Sequence, residues 1–321
     1  MPTDLPHHPL PGLPVTDLPA SLAPLQAAVL LLNPTTSLAV AIDLWKTAQH
    51  KQGLSLNTIK NYGADVQLVA EYLGAGLPLA QITTQNLNEY LNWMRFKRGR
   101  ACSDKTVDRR ITALKSFFRW VTPNASLPLD PAEAVLNVSV RSPLPQILNA
   151  EQMQLAYAAA ERLHNAQKKP DIRPLMLLRL VLESGLRKGE VARLERNHLD
   201  LTDVDEPHFY VRYKDKRHRH KERRIAASPE LVELFQAYFL EYPNQDVIFP
   251  WSVRRLEYLL SDIATAAGFD FNLSFDMLRW TSAVLDYDRM DAQDLRRKLG
   301  LSKIQWTEIK RKLSQLAASA N

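Results

Sequence analysis

Ser184-Gly185-Leu186-Arg187-Lys188-Gly189-Glu190-Val191 joins the end of one apolar helical segment, Arg173–Ser184, to the start of another. Gly185 permits a tight turn. Arg187 is presented at a helix N-terminus, where backbone N–H groups also favour a phosphate. Alone, the string also reads as a surface arginine beside a helix break; three downstream segments give it weight. Phe209–Tyr213 and Arg224–Ala226 read as two strands of a β-hairpin flanking a basic stretch. Asp276-Met277-Leu278-Arg279 opens a further helix, and Leu299-Gly300-Leu301-Ser302 comes after nineteen intervening residues. Two arginines from separate helix starts and a lysine from the hairpin suit one phosphate, because a guanidinium fork donates two parallel hydrogen bonds to phosphate oxygens.

Upstream, four amphipathic segments are predicted. Ser37–Gln52 places Leu38, Ala41, Ile42 and Trp45 on one face. Ser55 caps a second helix with Ile59, Tyr62, Val66, Val69 and Leu73 inward, ended by Gly74, Gly76 and Pro78. Thr83 or Thr84 starts a third, and Ser103 or Asp104 a fourth, which Pro123 stops. Four such helices make a compact bundle. Pro123, Pro128, Pro131, Pro143 and Pro145 then mark an interdomain linker. The second half reads as helices around a small sheet, from Asn149 to the end. The fold class is therefore mainly α with a small β-sheet. The boundaries are a Pro-rich flexible tail at 1–35, a helical domain at 36–123, a linker at 124–148, a second domain at 149–316 and a short tail at 317–321.

The 321 residues carry a net charge of +6 with one cysteine, Cys102, which excludes an internal disulfide framework and a cysteine-clustered metal site. The longest apolar run begins at Ala27 and ends at Asn33, far short of the ~20 residues that span a bilayer. No membrane segment or signal peptide is expected, and a reducing cytoplasmic compartment fits. His218 and His220 form an H-x-H pattern without a carboxylate partner, so neither a metal nor a cofactor is expected. Charge is polarised: residues 95–119 carry +7 and residues 210–224 carry +6. Lys105, Arg109 and Lys115 stand on the polar side of the fourth helix. One such patch reads as a solvated surface; two point to a polyanion, because each neutralised phosphate releases counterions.

These strings resemble the tyrosine recombinases of the phage integrase and Xer type, over residues 36 to about 313. The resemblance implies an N-terminal core-binding (SAM-like) domain and a C-terminal catalytic domain that close on duplex DNA. It also implies an Arg–Lys–His–Arg–His/Trp–Tyr site in which tyrosine attacks a phosphate. Arg187 and Glu190 match the first arginine string, Lys214 or Lys216 the hairpin lysine, and Arg279 the second arginine. Lys221-Glu222-Arg223-Arg224-Ile225 resembles the second half of the hairpin motif. The remaining positions depart from the pattern. Asp276 stands at the first histidine, Leu301 at the His/Trp position and Lys310 at the tyrosine.

Those departures bear on the chemistry. The nucleophile must be a hydroxyl able to form a phosphodiester, and a cationic lysine is not one. No tyrosine follows Tyr287, which lies eight positions past Arg279, about 12 Å along the same predicted helix. Losing one positioned transition-state group costs about 10²–10³ in rate. The expectation is a DNA-binding derivative that clamps duplex DNA without cleaving it, with a role in recombination or integration or as an architectural or regulatory protein. Arg187, Lys214 and Arg279 are its vestigial site. Lys60, Arg95, Lys97, Arg98, Lys105, Arg109, Lys216, Arg217, Arg219, Lys221 and Lys310 are its DNA-binding cations. The partners are double-stranded DNA and a homo-oligomer or partner recombinase on that DNA, in a cytoplasmic, nucleoid-associated setting. The alternatives are an active recombinase with a non-standard nucleophile and a helical protein–protein interaction module.

Overall fold

The computed structural model describes residues 32–100, 102–136, 143–166, 168, 170–203 and 205–320. It divides into two compact units, Met1–Ser142 and Pro143–Asn321.

In the first unit, α1 (Leu38–Lys51) buries Leu38, Ala41, Ile42 and Trp45 at three- and four-residue steps. In α2 (Leu56–Leu73), the Ser55 hydroxyl accepts the Thr58 N–H at 3.1 Å and so satisfies one orphan donor of the first turn. In α3 (Thr84–Asn92), Thr83 and Asn86 cap each other's backbone reciprocally. A π-helical turn, Trp93–Lys97, continues it. The long α4 (Asp104–Asn124) starts at Ser103 and runs one residue past Pro123, further than proline's missing donor suggests. The four helices close on a core in which the Trp45 and Phe117 rings meet edge to face at 5.4 Å. Among the described residues one carboxylate lies within this unit's interior, Asp65 on α2, and both Arg109 and Arg110 of α4 reach it.

The flexible tail expected at 1–35 needs correcting at its inner end. Leu32 is buried in the first core, the Pro34 carbonyl accepts from Ala80 N–H and the Thr36 carbonyl from Leu79 N–H. Apolar burial and two backbone bonds dock this stretch onto the short 3₁₀ turn Leu79–Gln81. The rest of the expected tail, residues 1–31, lies outside the described residues.

The second unit begins with α5 (Ala150–His164) and the almost fully buried α6 (Arg173–Ser184). A one-turn helix, α7 (Lys188–Val191), follows. Three antiparallel strands come next in the order β1 (Leu199–Asp200), β2 (His208–Val211) and β3 (Arg223–Ala226), with Phe209 opposite Ile225. The basic stretch between β2 and β3 is not a simple hairpin loop: Lys216–Lys221 winds into a 3₁₀ turn. Five helices complete the unit, α8 (Pro229–Glu241), α9 (Val253–Ala266), α10 (Phe275–Tyr287), α11 (Ala292–Lys298) and α12 (Lys303–Ala320). The main core lies around α6, and a smaller one joins α10, α11 and α12 through Ala283, Leu295, Leu299, Leu301, Trp306 and Leu313. The short tail expected from 317 is instead the last turn of α12 through Ala320, where buried Leu316 and Ala317 continue the helix's apolar stripe.

Trp45→Ala should lower the stability of the first unit by about 3–5 kcal/mol, because it empties the centre of the core. Val40→Ala, at a half-exposed position of the same helix, should stay within about 0.5 kcal/mol. Urea unfolding followed by circular dichroism checks both.

Candidate functional site

Helix α6 ends because Gly185 takes a left-handed conformation (φ 60°) and donates its N–H to the Val181 carbonyl at 2.9 Å. A Cβ there would stand 2.9 Å from Leu299 Cδ2, so the turn needs glycine for space as well as for backbone freedom. The reversal launches Arg187 at the head of α7. One turn later Glu190 folds back: its Oε2 accepts the Arg187 N–H at 2.8 Å and its Oε1 accepts Arg187 Nη1 at 3.0 Å.

Glu190 is the hub of the site. Arg223 of β3 meets it as a fork, Nη1 to Oε1 at 3.0 Å and Nη2 to Oε2 at 2.9 Å. The Tyr213 hydroxyl adds a third donor. Burial works against the charged carboxylate. The Arg223 hydrogen bonds and charge, with the Tyr213 hydroxyl and the Arg187 backbone, outweigh it and hold the Glu190 pKa down at about 2. Arg223 Nε also donates to the Lys298 carbonyl at 2.6 Å, and Arg187 Nη2 to the Gly300 carbonyl at 3.0 Å. Gly300 must lack a side chain, since its Cβ would fall 2.8 Å from Arg223 Nη1.

Arg279 arrives from the first turns of α10. It donates to the Gly185 carbonyl and, at 2.5 Å, to the Leu299 carbonyl. Desolvation by burial, followed by repulsion from Arg187, pulls its pKa down to about 9, which leaves it protonated at neutral pH. Arg187 and Arg279 together face a depression of about 200 Å³, completed by Asp276, Trp280, Ala283, Leu299, Leu301 and Ile309. The arrangement offers guanidinium edges to a small anion between apolar walls, with one carboxylate at the rim. None of its lining side chains is a hydroxyl or a thiol.

The structure thus brings Arg187, Arg279, Asp276 and Leu301 together and leaves other expected residues outside. The Lys214 side chain is 92% exposed, 3.9 Å from Glu195, and lines a separate polar cleft of about 420 Å³ with Arg193, Tyr213 and Arg219. Lys216 heads the 3₁₀ turn and is exposed. Lys310 does not add its charge to the depression: it is exposed, and Ile309 lines the depression instead. Trp306, Ile309 and Leu313 form the inward stripe of α12, and Lys310 falls beside that stripe.

Among the other expected cations, Lys60, Lys97, Lys105 and Arg219 are exposed. Arg95 pairs with Asp104 at 2.9 Å, and Arg98 lies over the Trp93 ring at 5.9 Å. Arg217 pairs with Asp215 at 2.7 Å, and Lys221 Nζ lies 3.5 Å from His218 Nδ1. Arg109, expected on a free polar face, is tied to buried Asp65. Among the described residues no group of three or more His, Cys, Asp or Glu side chains is placed to hold a metal ion. Among those residues, too, no helix is long and apolar enough to cross a membrane.

Arg223 and Tyr213 had no role assigned from sequence. The signal for Arg223 was its place in Lys221-Glu222-Arg223-Arg224-Ile225. Tyr213 carried none beyond adjoining the basic stretch.

Two family models match this chain: the N-terminal SAM-like domain of phage integrases over residues 42–123, and the phage integrase family over residues 146–314. The chain belongs to the phage integrase family of tyrosine recombinases. It is 26% identical over 151 residues to the tyrosine recombinase XerD of Listeria innocua, covering 47% of this chain and 50% of that protein. It is 33% identical over 144 residues to XerC of Chlamydia trachomatis, covering 44% and 42%. The chain spans about half the length of the curated relatives it matches. Among solved structures, the XerH site-specific recombinase bound to palindromic difH substrate superposes with a TM-score of 0.69 at 18% identity, covering 92% of each chain. A lambda integrase dimer bound to a COC' core site gives 0.68 at 16% identity, covering 92% of this chain and 82% of that one. These two likenesses establish a shared fold.

Glu190 gives the second unit a specific acid sensitivity. Its folded pKa of about 2 lies below the ordinary 4.5, so its stabilisation is fully present above about pH 4.5 and is lost as pH falls towards 2. The shift corresponds to about 3 kcal/mol. Glu190→Gln should flatten the stability profile across that window and lower stability at pH 7, where it leaves the Arg223 charge buried without its partner. Urea unfolding at pH 7, 4.5 and 3 measures both effects.

Proposed function

We propose that this chain binds duplex DNA as a member of the tyrosine recombinase superfamily that no longer cuts the strand. One observation carries the reading. The depression that holds Arg187 and Arg279 is lined by no group able to form a phosphoester, and Lys310, which this reading matches to the family tyrosine, is exposed. Tyr287, the last tyrosine in the chain, is half-buried and packs into the small core of α10–α12.

What remains suits holding a phosphate. Arg187 and Arg279 are fixed by backbone carbonyls and so need little reorganisation to meet an anion. Asp276 reduces the local positive charge, which favours a singly charged phosphodiester over the more highly charged state that strand transfer passes through. Lys214, Lys216, Arg219 and Lys221 stand outside this pocket on the same unit and would follow the backbone. Lys60, Lys97 and Lys105 would do the same on the first unit. The DNA in the XerH and lambda integrase complexes supports duplex DNA as the partner, and the lambda dimer supports a second copy or a partner recombinase on that DNA. The role that this reading gives the chain is accessory to recombination or integration, architectural, or regulatory, at a cytoplasmic, nucleoid-associated location.

Gel shifts on duplex DNA across a salt series should give a log–log slope near −5 if about six phosphates are contacted. Arg187→Ala should weaken binding by about tenfold, the loss expected for a hydrogen bond to a charged group. A nicked suicide duplex should trap no covalent protein–DNA adduct on denaturing gels. An adduct would overturn the non-cleaving reading, and a flat salt response would overturn DNA binding itself.

A further inference from the structure

Phe96 is 72% exposed, although Met94 and Trp93, two and three residues before it, pack inward. Met94 is fully buried, and Trp93 joins Tyr72 and Tyr90 in a cluster of rings with centroids 5.0–6.3 Å apart. Among the described residues no other aromatic ring stacks with Phe96. A single exposed apolar side chain needs no explanation by itself; three further features set this one apart. It lies in the π-helical turn Trp93–Lys97, and such turns recur at functional sites. Its ring is backed rather than loose: the Arg95 guanidinium lies over it at 5.5 Å and is itself held by Asp104 Oδ1 at 2.9 Å, at the head of α4. It also stands inside a run of cations, with Arg95, Lys97, Arg98 and Arg100 within four residues of it and no acid in the run.

A flat apolar ring, backed by a fixed cation and set in a chain segment rich in cations that seek phosphates, suits a nucleobase face in a polyanionic chain. An apolar protein partner would not require four cations in the same short segment. We propose that Phe96 is a wedge that enters the base stack of duplex DNA while Lys97, Arg98 and Arg100 engage the flanking backbone. This rests on the DNA-binding reading above and adds to it a way of deforming the duplex. Inserted apolar side chains unstack a base step and kink the helix, and the bent duplex then meets more of the protein's cations, which offsets the cost of unstacking. Unstacking also untwists the duplex, so the wedge has a topological signature that simple backbone binding lacks.

The test uses the full chain on relaxed closed-circular plasmid with topoisomerase I present, so that untwisting is recorded as a change in linking number. Wild type should shift the topoisomer distribution in proportion to bound protein. Phe96→Ala should retain the salt slope, bind about tenfold more weakly because base–aromatic stacking is lost, and leave the distribution unshifted at matched occupancy. Phe96→Trp should restore the shift. The ring is exposed, so thermal melts of the three proteins should coincide. Equal shifts by wild type and Phe96→Ala at matched occupancy would overturn the wedge, as would binding by wild type with no shift. It would also be overturned if Phe96→Ala altered only single-stranded oligonucleotide binding or self-association in sedimentation. Failure of wild type to bind plasmid at low salt would bring down the DNA-binding reading, and the wedge with it. Normal salt-dependent binding without a topological change would remove the wedge alone.

Discussion

A single buried carboxylate organises the second unit's site. Glu190 lies at the head of a one-turn helix, yet it collects donors from Arg187, Tyr213 and Arg223, and Arg223 then reaches the Lys298 carbonyl. The sheet, the turn after α6 and the end of α11 are thereby tied to one charge. Such a node is costly to break, because removing either member of the Glu190–Arg223 pair strands a buried charge. Much of the arginine pattern is therefore needed for folding whether or not any reaction occurs. Arg187 serves both purposes: one edge of its guanidinium holds the hub and the backbone, and the side chain still lines the depression.

The charges of the site are close to balanced. Arg187, Arg223 and Arg279 stand against Glu190 and Asp276, a surplus of one positive charge. A large surplus confined in a water-poor pocket would be expensive to maintain without a permanent anion. Here the guanidiniums are instead satisfied by the Gly185, Leu299 and Gly300 carbonyls. The two glycines matter for packing: a side chain at Gly300 would press on the Arg223 and Arg187 guanidiniums, and one at Gly185 would press on the Leu299 side chain.

Much of the fold was legible in the sequence, and the reason is local. The apolar stripe of α1 and the caps at Ser55, Thr83 and Ser103 are written within a few residues, so periodicity and capping chemistry locate those helices. Strand β1 is two residues long and cannot display an alternation. Docking of Leu32–Thr36 depends on Leu79 and Ala80, far along the chain, and left no local mark. The site was legible in part. The two arginines belong to recognisable strings, but their convergence is a tertiary fact. Glu190 and Arg223 lie 33 residues apart, and nothing in either segment announces the other. Arg109 looked free because its partner, Asp65, is on another helix. Counting along the chain placed Lys310 at the family tyrosine; it did not say which way that helix is turned.

The orientation of α12 decides which of its side chains can reach the arginines. With Ile309 against the arginines and residue 310 in solvent, a tyrosine written at 310 would not by itself stand over the anion. Bringing position 310 over the arginines would call for a turned helix, and Trp306 and Leu313 are anchored in the small core against that rotation. The Leu301 wall would need replacing as well. Core packing thus sets the reach of this helix: a change of side chain at 310 alone meets a structure that keeps that position in solvent.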